Sequence, residues 1–119
     1  MRDHKNLRAF ELADQGAMQT YQLTRGFPKD ELYGLTSQTR RSCASIPANI
    51  AEGCGRRGDA ELARFFQIAM GSASELEYHL LLARDLDLLN GSDYKWLAGE
   101  VTEVKRMLTS FIQKLNADR

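Results

Sequence analysis

Four arginines have the residue type and spacing that could bind a ligand. They form two adjacent pairs, Arg40–Arg41 and Arg56–Arg57. A guanidinium group presents several N–H donors in a planar fork, which fits the oxygens of a phosphate or of a carboxylate. The first pair therefore has two interpretations, which the sequence leaves open. It pairs with carboxylates of the same chain, or it contacts the phosphates of a nucleic acid.

The stretch Gly53-Cys54-Gly55-Arg56-Arg57-Gly58 matches the G-x-G-x-x-G pattern of dinucleotide-binding loops. That pattern binds a pyrophosphate where a β-strand turns into a helix, and no strand periodicity is present here. We therefore interpret the stretch as a helix end followed by a flexible link, a common use of glycine. A phosphate site at the start of the next helix is a second interpretation, which the charge of Asp59 opposes.

No combination of residues assembles a catalytic or metal site. Asn49 and Glu52 lie one turn apart among apolar residues, so we expect them to hydrogen-bond to neighbouring helices and fix their register. The two histidines share no metal-ligand spacing with the two cysteines, and nucleophile motifs such as G-x-S-x-G are absent. The sequence thus predicts a protein without enzymatic activity, metal or cofactor.

The composition is typical of one globular domain. The 119 residues carry sixteen basic and sixteen acidic side chains, so the formal net charge is zero. Strong general attraction to nucleic acid or to an anionic membrane is therefore not expected. No apolar run is long enough for a membrane span or a signal peptide. We expect a single cytoplasmic domain over residues 1–119.

Apolar residues recur at steps of three and four, which predicts four helices. The first ends near Gly26, while Thr36 and Asp59 are placed to cap the second and third. The last two carry heptad stripes, which are typical of antiparallel helices. The fold class is all-α, an antiparallel up-down four-helix bundle. The stripes are Phe10, Ala13, Ala17, Tyr21 and Thr24; Thr39, Cys43, Ile46 and Ile50; Leu62, Phe66, Ala69, Ala73, Leu76, Leu80 and Ala83; and Leu97, Val101, Val104, Leu108, Phe111 and Leu115.

The second half of the third helix holds more leucines than one buried face requires, because they point in nearly every direction around its axis. These extra leucines lie beneath helix ends and loops, or they face a neighbouring subunit. We favour the subunit, since an exposed apolar patch is a liability on a monomer. The interface candidates are Leu81, Leu82, Leu86, Leu88 and Leu89.

Charge is divided along the chain. Residues 36–58 hold four arginines against one glutamate, whereas residues 59–90 hold two arginines against six acidic residues. These charges can pair within one chain. Alternatively, the basic edge of one protomer meets the acidic edge of the next in a head-to-tail ring.

Several short blocks follow one another in a specific order and spacing. They are Phe27-Pro28, Glu31, Tyr33-Gly34-Leu35-Thr36-Ser37-Gln38, Arg40-Arg41, Ser45-Ile46-Pro47-Ala48-Asn49-Ile50-Ala51-Glu52-Gly53, and Ala69-x-Gly71-Ser72-x-x-Glu75-Leu76. Together they resemble the four-helix-bundle proteins encoded in intervening sequences of 23S ribosomal RNA, and the resemblance covers essentially the whole chain. That family is similar to the accessory variability proteins of diversity-generating retroelements, pentameric barrels thought to bind a reverse transcriptase and nucleic acid.

The resemblance implies a small bundle that assembles as a ring-like homopentamer, without enzymatic activity. The motif residues that it singles out are Tyr33, Gly34, Thr36, Asn49, Glu52, Gly53, Gly71 and Ser72. The first three belong to the block that shapes the start of the second helix, Asn49 and Glu52 anchor that helix, and the Gly71–Ser72 pair permits close packing.

We therefore expect a homo-oligomer that binds the backbone of RNA or DNA weakly and without base specificity, through Arg40, Arg41, Arg56 and Arg57. The retroelement relatives are markedly basic, whereas this chain is neutral. The alternative is a scaffold that binds a protein partner through its apolar and acidic surface, without nucleic acid or membrane. Salt dependence separates the two, because phosphate contacts weaken steeply as salt rises.

Overall fold

The computed structural model describes residues 2–117, so residues 1, 118 and 119 of the predicted domain lie outside it. Its α-helices are α1 (Arg8–Thr24), α2 (Ser37–Cys54), α3 (Asp59–Asp85) and α4 (Gly91–Ala117). Over the described range there is no β-strand, and each helix packs against its neighbours in sequence, with α4 also against α1. The prediction of an all-α chain with four helices is confirmed.

The apolar stripes of α2, α3 and α4 form the core. Every predicted stripe residue of α2 and α3 is buried, and so are those of α4 except Phe111, which is half-buried beside buried Ile112. A helical stripe can be located in this way because it repeats with the helix turn itself. The core therefore runs the length of a bundle that measures 47 × 22 × 20 Å.

The predicted stripe of α1 is partly wrong. Tyr21 is exposed, while Leu12 and Thr20 lie in the core. Burial of the threonine is possible because its hydroxyl donates to the Gly16 carbonyl, at 2.7 Å, and is therefore satisfied inside its own helix. The hydroxyl of Thr24 donates to the Thr20 carbonyl in the same way, at 2.8 Å. The buried face of α1 is consequently rotated away from Tyr21.

The predicted caps of α2 and α3 are wrong. Thr36 has helical backbone angles and makes no capping bond, because a π-helical turn, Leu32–Thr36, runs directly into α2. The free N–H of Leu35 donates instead to the Glu31 carboxylate, at 3.1 Å. Asp59 is already the first residue of α3, and the capping position is held by Gly58 with a φ of 84°.

A close approach of α2 to α3 occurs at Gly53. A Cβ atom built there would lie 2.9 Å from the Cβ of Phe65, which is too near for two carbon atoms. At Gly71, the predicted position for close packing, a Cβ would meet no heavy atom of the described chain within 4 Å, its own helical turn aside. The expectation for Gly71 is therefore wrong within one chain, and Gly53 is the tight contact.

The extra leucines at the end of α3 differ in their burial. Asp87 adopts a left-handed conformation, with a φ of 61°, and the Leu88 N–H donates to the Ala83 carbonyl. The chain therefore folds back, and Leu89 is only 5% exposed within the core, unavailable to another subunit. Leu82 and Leu88 pack partly against that core, Leu81 is half-buried, and Leu86 is 52% exposed.

Substitution of the two glycines should have opposite effects. Gly53→Ala should lower the free energy of unfolding by about 1–3 kcal/mol, because the new methyl group collides with Phe65. Gly71→Ala should raise it by about 0.5–1 kcal/mol, since alanine favours the helix and the site is open. Urea denaturation of both variants measures the difference. If both substitutions changed the free energy of unfolding by the same amount and in the same direction, Gly53 would not be the tight contact.

Candidate nucleic-acid interface

The four candidate arginines lie at opposite ends of α2. Arg40 and Arg41 are its fourth and fifth residues, and Arg56 and Arg57 follow its C-cap, Gly55. With a rise of about 1.5 Å per residue, sixteen residues place the two pairs about 24 Å apart. One chain therefore does not bring the four together, and each end has to be considered separately.

Arg40 is held against α1. Its Nε donates to the Thr24 hydroxyl at 2.8 Å, one Nη donates to the Tyr21 carbonyl at 3.4 Å, and the guanidinium carbon lies 5.0 Å from the Tyr21 ring centre. Two of its five N–H donors are thereby used, and the side chain is fixed in place. Residues 2–117 supply it with no carboxylate, so the expected ion pair is wrong for Arg40.

Arg41 is exposed beside it. Its contact in the described chain is an Nη bond of 3.3 Å to the amide oxygen of Gln38, a neutral group. Among residues 2–117, Arg41 has no carboxylate partner either. Within this described range, the start of α2 therefore carries two guanidinium groups without a carboxylate partner.

An open groove lies beside these arginines. Its volume is about 530 Å³, and we call it the α2 groove. Tyr33 stands at its edge with 92% of its surface exposed, just before Gly34, whose backbone leaves the helical conformation. The lining residues are Tyr21, Leu32, Tyr33, Thr36, Ser37, Arg40 and Arg41. Cationic and aromatic groups thus converge on one surface.

The far end of α2 is less basic than the sequence suggested. Arg56 pairs with Glu52 at 2.9 Å, so its charge is largely neutralised. Glu52 is exposed, and the expectation that it anchors α2 to another helix is wrong, because the neighbouring Gly53 is the residue that faces α3. Arg57 is exposed, and no hydrogen bond or ion pair joins it to the rest of the described chain.

The glycine pattern at this end joins two helices. Gly55 is the C-cap of α2 and Gly58 precedes α3, so the interpretation as a helix end and link is confirmed. A cleft of about 310 Å³ opens here between Arg2, Arg56 and Asp59. Asp59 lies 3.8 Å from Arg2 and faces the same cleft, so its charge opposes an anion there.

Polar side chains cross the α2–α3 contact, and we call them the polar seam. Ser42 Oγ lies 3.1 Å from His79 Nδ1, and Ser45 Oγ lies 2.8 Å from Ser72 Oγ. Asn49 donates to the carbonyl and to the hydroxyl of Ser45, at 2.8 and 3.0 Å. Asn49 therefore anchors its own helix and reaches α3 only through the serine hydroxyl.

The chain matches the 23S rRNA-intervening sequence protein family over residues 5–110. It belongs to this family. A solved structure of similar fold is a protein of unknown function from the S23 ribosomal protein family of Bacteroides thetaiotaomicron, with a TM-score of 0.82 and 24% identity over 88% of this chain and 95% of that chain. At that identity the likeness concerns the fold alone. No curated protein matches the chain.

In this family member, Ser42 and His79 have the types and spacing of a nucleophile and its base. Both are buried, and no carboxylate in the described structure hydrogen-bonds to the imidazole. Ser42 Oγ also lies 3.1 Å from the Thr39 carbonyl, to which it can donate. The contact between Ser42 and His79 therefore gives the polar atoms of two buried side chains a hydrogen-bond partner. The missed signal was the spacing of Ser42, Ser45 and Asn49 along one face of α2.

The thiols of Cys43 and Cys54 are both buried. Burial raises the pKa of the Cys43 thiol to about 11 and also raises the pKa of Cys54, so both thiols stay protonated at neutral pH. Groups of three or more His, Cys, Asp or Glu residues that could hold a metal ion are not found among residues 2–117. In the same range, the helices lack an apolar segment long enough to span a membrane.

The free energy of unfolding should fall in mild acid because of His79. Burial lowers the pKa of this imidazole below its usual 6.5, outweighing the opposing charge of Glu75, and Arg41 lowers it further. Below pH 6.5 the unfolded chain therefore binds a proton that the folded chain rejects. The contribution of His79 to the free energy of unfolding is fully present above pH 7.5. Below pH 6.5 this contribution falls by up to about 1.4 kcal/mol per pH unit.

Urea denaturation between pH 5 and 8 measures this slope. His79→Gln should flatten it, and His4→Gln, a change of the other histidine, should leave it as in the wild type. An unchanged slope in His79→Gln would assign the acid sensitivity to other groups.

Proposed function

We propose that this member of the 23S rRNA-intervening sequence family is a non-enzymatic homo-oligomer that binds the backbone of RNA or DNA weakly and without base specificity. The observation that carries the proposal is the state of Arg40 and Arg41. Both are held at the edge of one groove, and neither has a carboxylate partner among residues 2–117. Their free donors fit phosphate oxygens.

Contrast with the other arginines supports this assignment. Arg56, Arg64 and Arg106 each pair with a glutamate on their own helix or helix end. In each such pair the two opposite charges sum to zero, so the pair attracts an external anion less than an unpaired guanidinium group does. Arg57, without such a pair, is the remaining candidate at the far end of α2. We therefore reduce the phosphate-binding set to Arg40, Arg41 and Arg57.

Self-assembly is supported by the outer face of α3. Ile68, Tyr78 and Leu86 are exposed large apolar residues, and at about 100° per residue they fall within about 80° of one another around the helix. Gly71, with open space around it, lies on the same face. Cover by a second copy would remove this apolar surface from water. It would also repeat the arginines, and several weak contacts on one strand together bind more tightly than one.

The absence of an enzymatic role in this proposal rests on the polar seam. Its Ser42–His79 pair has the geometry of a nucleophile and base, yet both residues are buried in the α2–α3 contact. A substrate would reach the serine only if the two helices separated. The predicted similarity to the retroelement accessory proteins agrees with a binding role.

A protein-binding scaffold is the second candidate. It is favoured by exposed aromatic residues away from the arginines, Tyr78 on α3 and Trp96 on α4. Aromatic side chains are enriched at the centres of protein interfaces. In that case the surface that carries Tyr78 and Trp96 would bind a partner protein, and the chain would not bind nucleic acid at low salt.

The salt dependence of binding tests the phosphate contacts. We expect a labelled single-stranded oligonucleotide to bind at 50 mM salt and to dissociate as salt rises, measured by fluorescence anisotropy. The double variant Arg41→Ala, Arg57→Ala should reduce the slope of log K against log salt by about 1.4 for each chain that contacts the single strand.

The matched control removes two arginines that are already paired. Arg64→Ala, Arg106→Ala changes the net charge by the same amount but removes partners of Glu61 and Glu103, so its slope should stay near the wild-type value. Equal slopes in both double variants would reject specific phosphate contacts. No binding by the wild type at 50 mM salt would favour the scaffold.

Light scattering coupled to size exclusion tests self-assembly. The wild type should show a mass several times the 13.4 kDa of one chain at micromolar concentration. Tyr78→Arg, Leu86→Arg should lower that mass, because two charges would then enter an apolar contact. Met18→Arg, at an exposed position on α1, serves as the control. A wild-type mass of one chain would reject the oligomer.

A further inference from the structure

The side chain of Tyr33 is almost fully exposed to solvent. The ring lies on the π-helical turn before α2, 92% exposed, and Leu32 and Tyr21 beside it are also exposed. Single apolar residues are common on surfaces, but three together at the edge of a groove indicate a contact surface. The non-helical backbone of Gly34, with φ −111° and ψ −112°, interrupts the turn directly after this tyrosine.

The cations around Tyr33 continue beyond the α2 groove. A second groove of about 160 Å³ lies next to it and shares Leu32, Thr36 and Arg40 with it. Arg25 and Lys29 line this second groove. Basic side chains therefore line both of the adjoining grooves. Thr36, shared by both grooves, is buried with a hydroxyl that lacks a hydrogen-bond partner in the described structure.

Exposed aromatic rings beside a path of cations are the features that bind single-stranded nucleic acid. Unpaired bases stack on aromatic side chains, while the backbone phosphates contact arginine and lysine. A duplex conceals the faces of its bases, so it would contact the arginines but gain nothing from Tyr33. The arrangement of Arg40 supports the same ligand, because its guanidinium is already fixed over the Tyr21 ring at 5.0 Å with donors to spare.

We infer that the α2 groove binds a single-stranded segment of nucleic acid, with one base stacked on Tyr33 and neighbouring phosphates held by Arg40 and Arg41. This inference rests on the proposed function and adds a preference for single strands over duplexes. The stack would tolerate any base, since every base has a flat face.

Binding of a fluorescein-labelled 12-nucleotide uridine strand and of a 12-base-pair duplex, both at 50 mM salt, tests the inference. Tyr33→Ala should weaken binding of the single strand by about 5- to 150-fold, the range that one stacked base contributes. Binding of the duplex should change by less than about twofold. Tyr33→Trp should preserve binding of the single strand, because it keeps an aromatic face. Met18→Ala, at an exposed apolar position on α1 outside the groove, serves as the control.

A spectroscopic measurement shows the stack itself. In Tyr33→Trp, Trp96→Phe, the new indole is the sole tryptophan of the chain, and the single strand should quench its fluorescence. Circular dichroism verifies that each variant keeps its helices. Absence of quenching while the strand binds would overturn the inference.

The other outcomes separate this inference from the proposed function. If Arg41→Ala, Arg57→Ala weakens both ligands while Tyr33→Ala weakens neither, the groove inference fails and the phosphate contacts stand. If neither ligand binds the wild type, both proposals fail. If Tyr33→Ala lowers the mass of the oligomer and leaves binding of the single strand unchanged, the groove is covered by a second copy and the inference is rejected.

Discussion

Close contact between α2 and α3 is the constraint on which the remaining structure depends. Gly53 permits the approach at one end, where any side chain would collide with Phe65. Along the contact, Ser42 meets His79 and the Ser45 hydroxyl meets Ser72. Buried polar atoms are costly when unpaired, so a shift of one helical turn would break several bonds at once. The polar seam therefore fixes the register of α2, and α2 carries the candidate arginines.

The position of α2 gives its two ends different chemistry. At the start, α1 supplies a threonine hydroxyl and a tyrosine ring to Arg40, and both are uncharged. At the other end, Glu52 lies one turn before Arg56 on the exposed side and neutralises it. A chain with no net charge can therefore present a local cationic surface, because the described lining of the α2 groove includes two arginines and no acidic residue. This is consistent with weak rather than strong binding of an anionic partner.

The sequence-based predictions were reliable where they depended on periodicity and less reliable where they depended on a partner. Every residue of the predicted α3 stripe is buried, since leucines, alanines and phenylalanines repeat along one face, but Ala63, Phe65 and His79 are buried as well and were missed. In α1 an exposed tyrosine was assigned to the core, because hydropathy ranks it above the threonine that is buried there. Thr36 and Asp59 are good capping residues by type, yet a π-helical turn and a glycine hold those positions. At the candidate site, the sequence identified the arginines by residue type, but it did not predict which of them pair with a carboxylate.

The sequence by itself determined four helices and the faces of α2, α3 and α4 that form the core. These properties are local, because the turn of a helix relates residues three or four apart. Tertiary structure alone decided that Arg40 lies over a tyrosine, that His79 is buried and that Leu89 folds back into its own core. Each depends on a group from another part of the chain, or on a turn that redirects the backbone. Helix packing sets the partner of a polar side chain, and that packing depends on residues far away in the sequence.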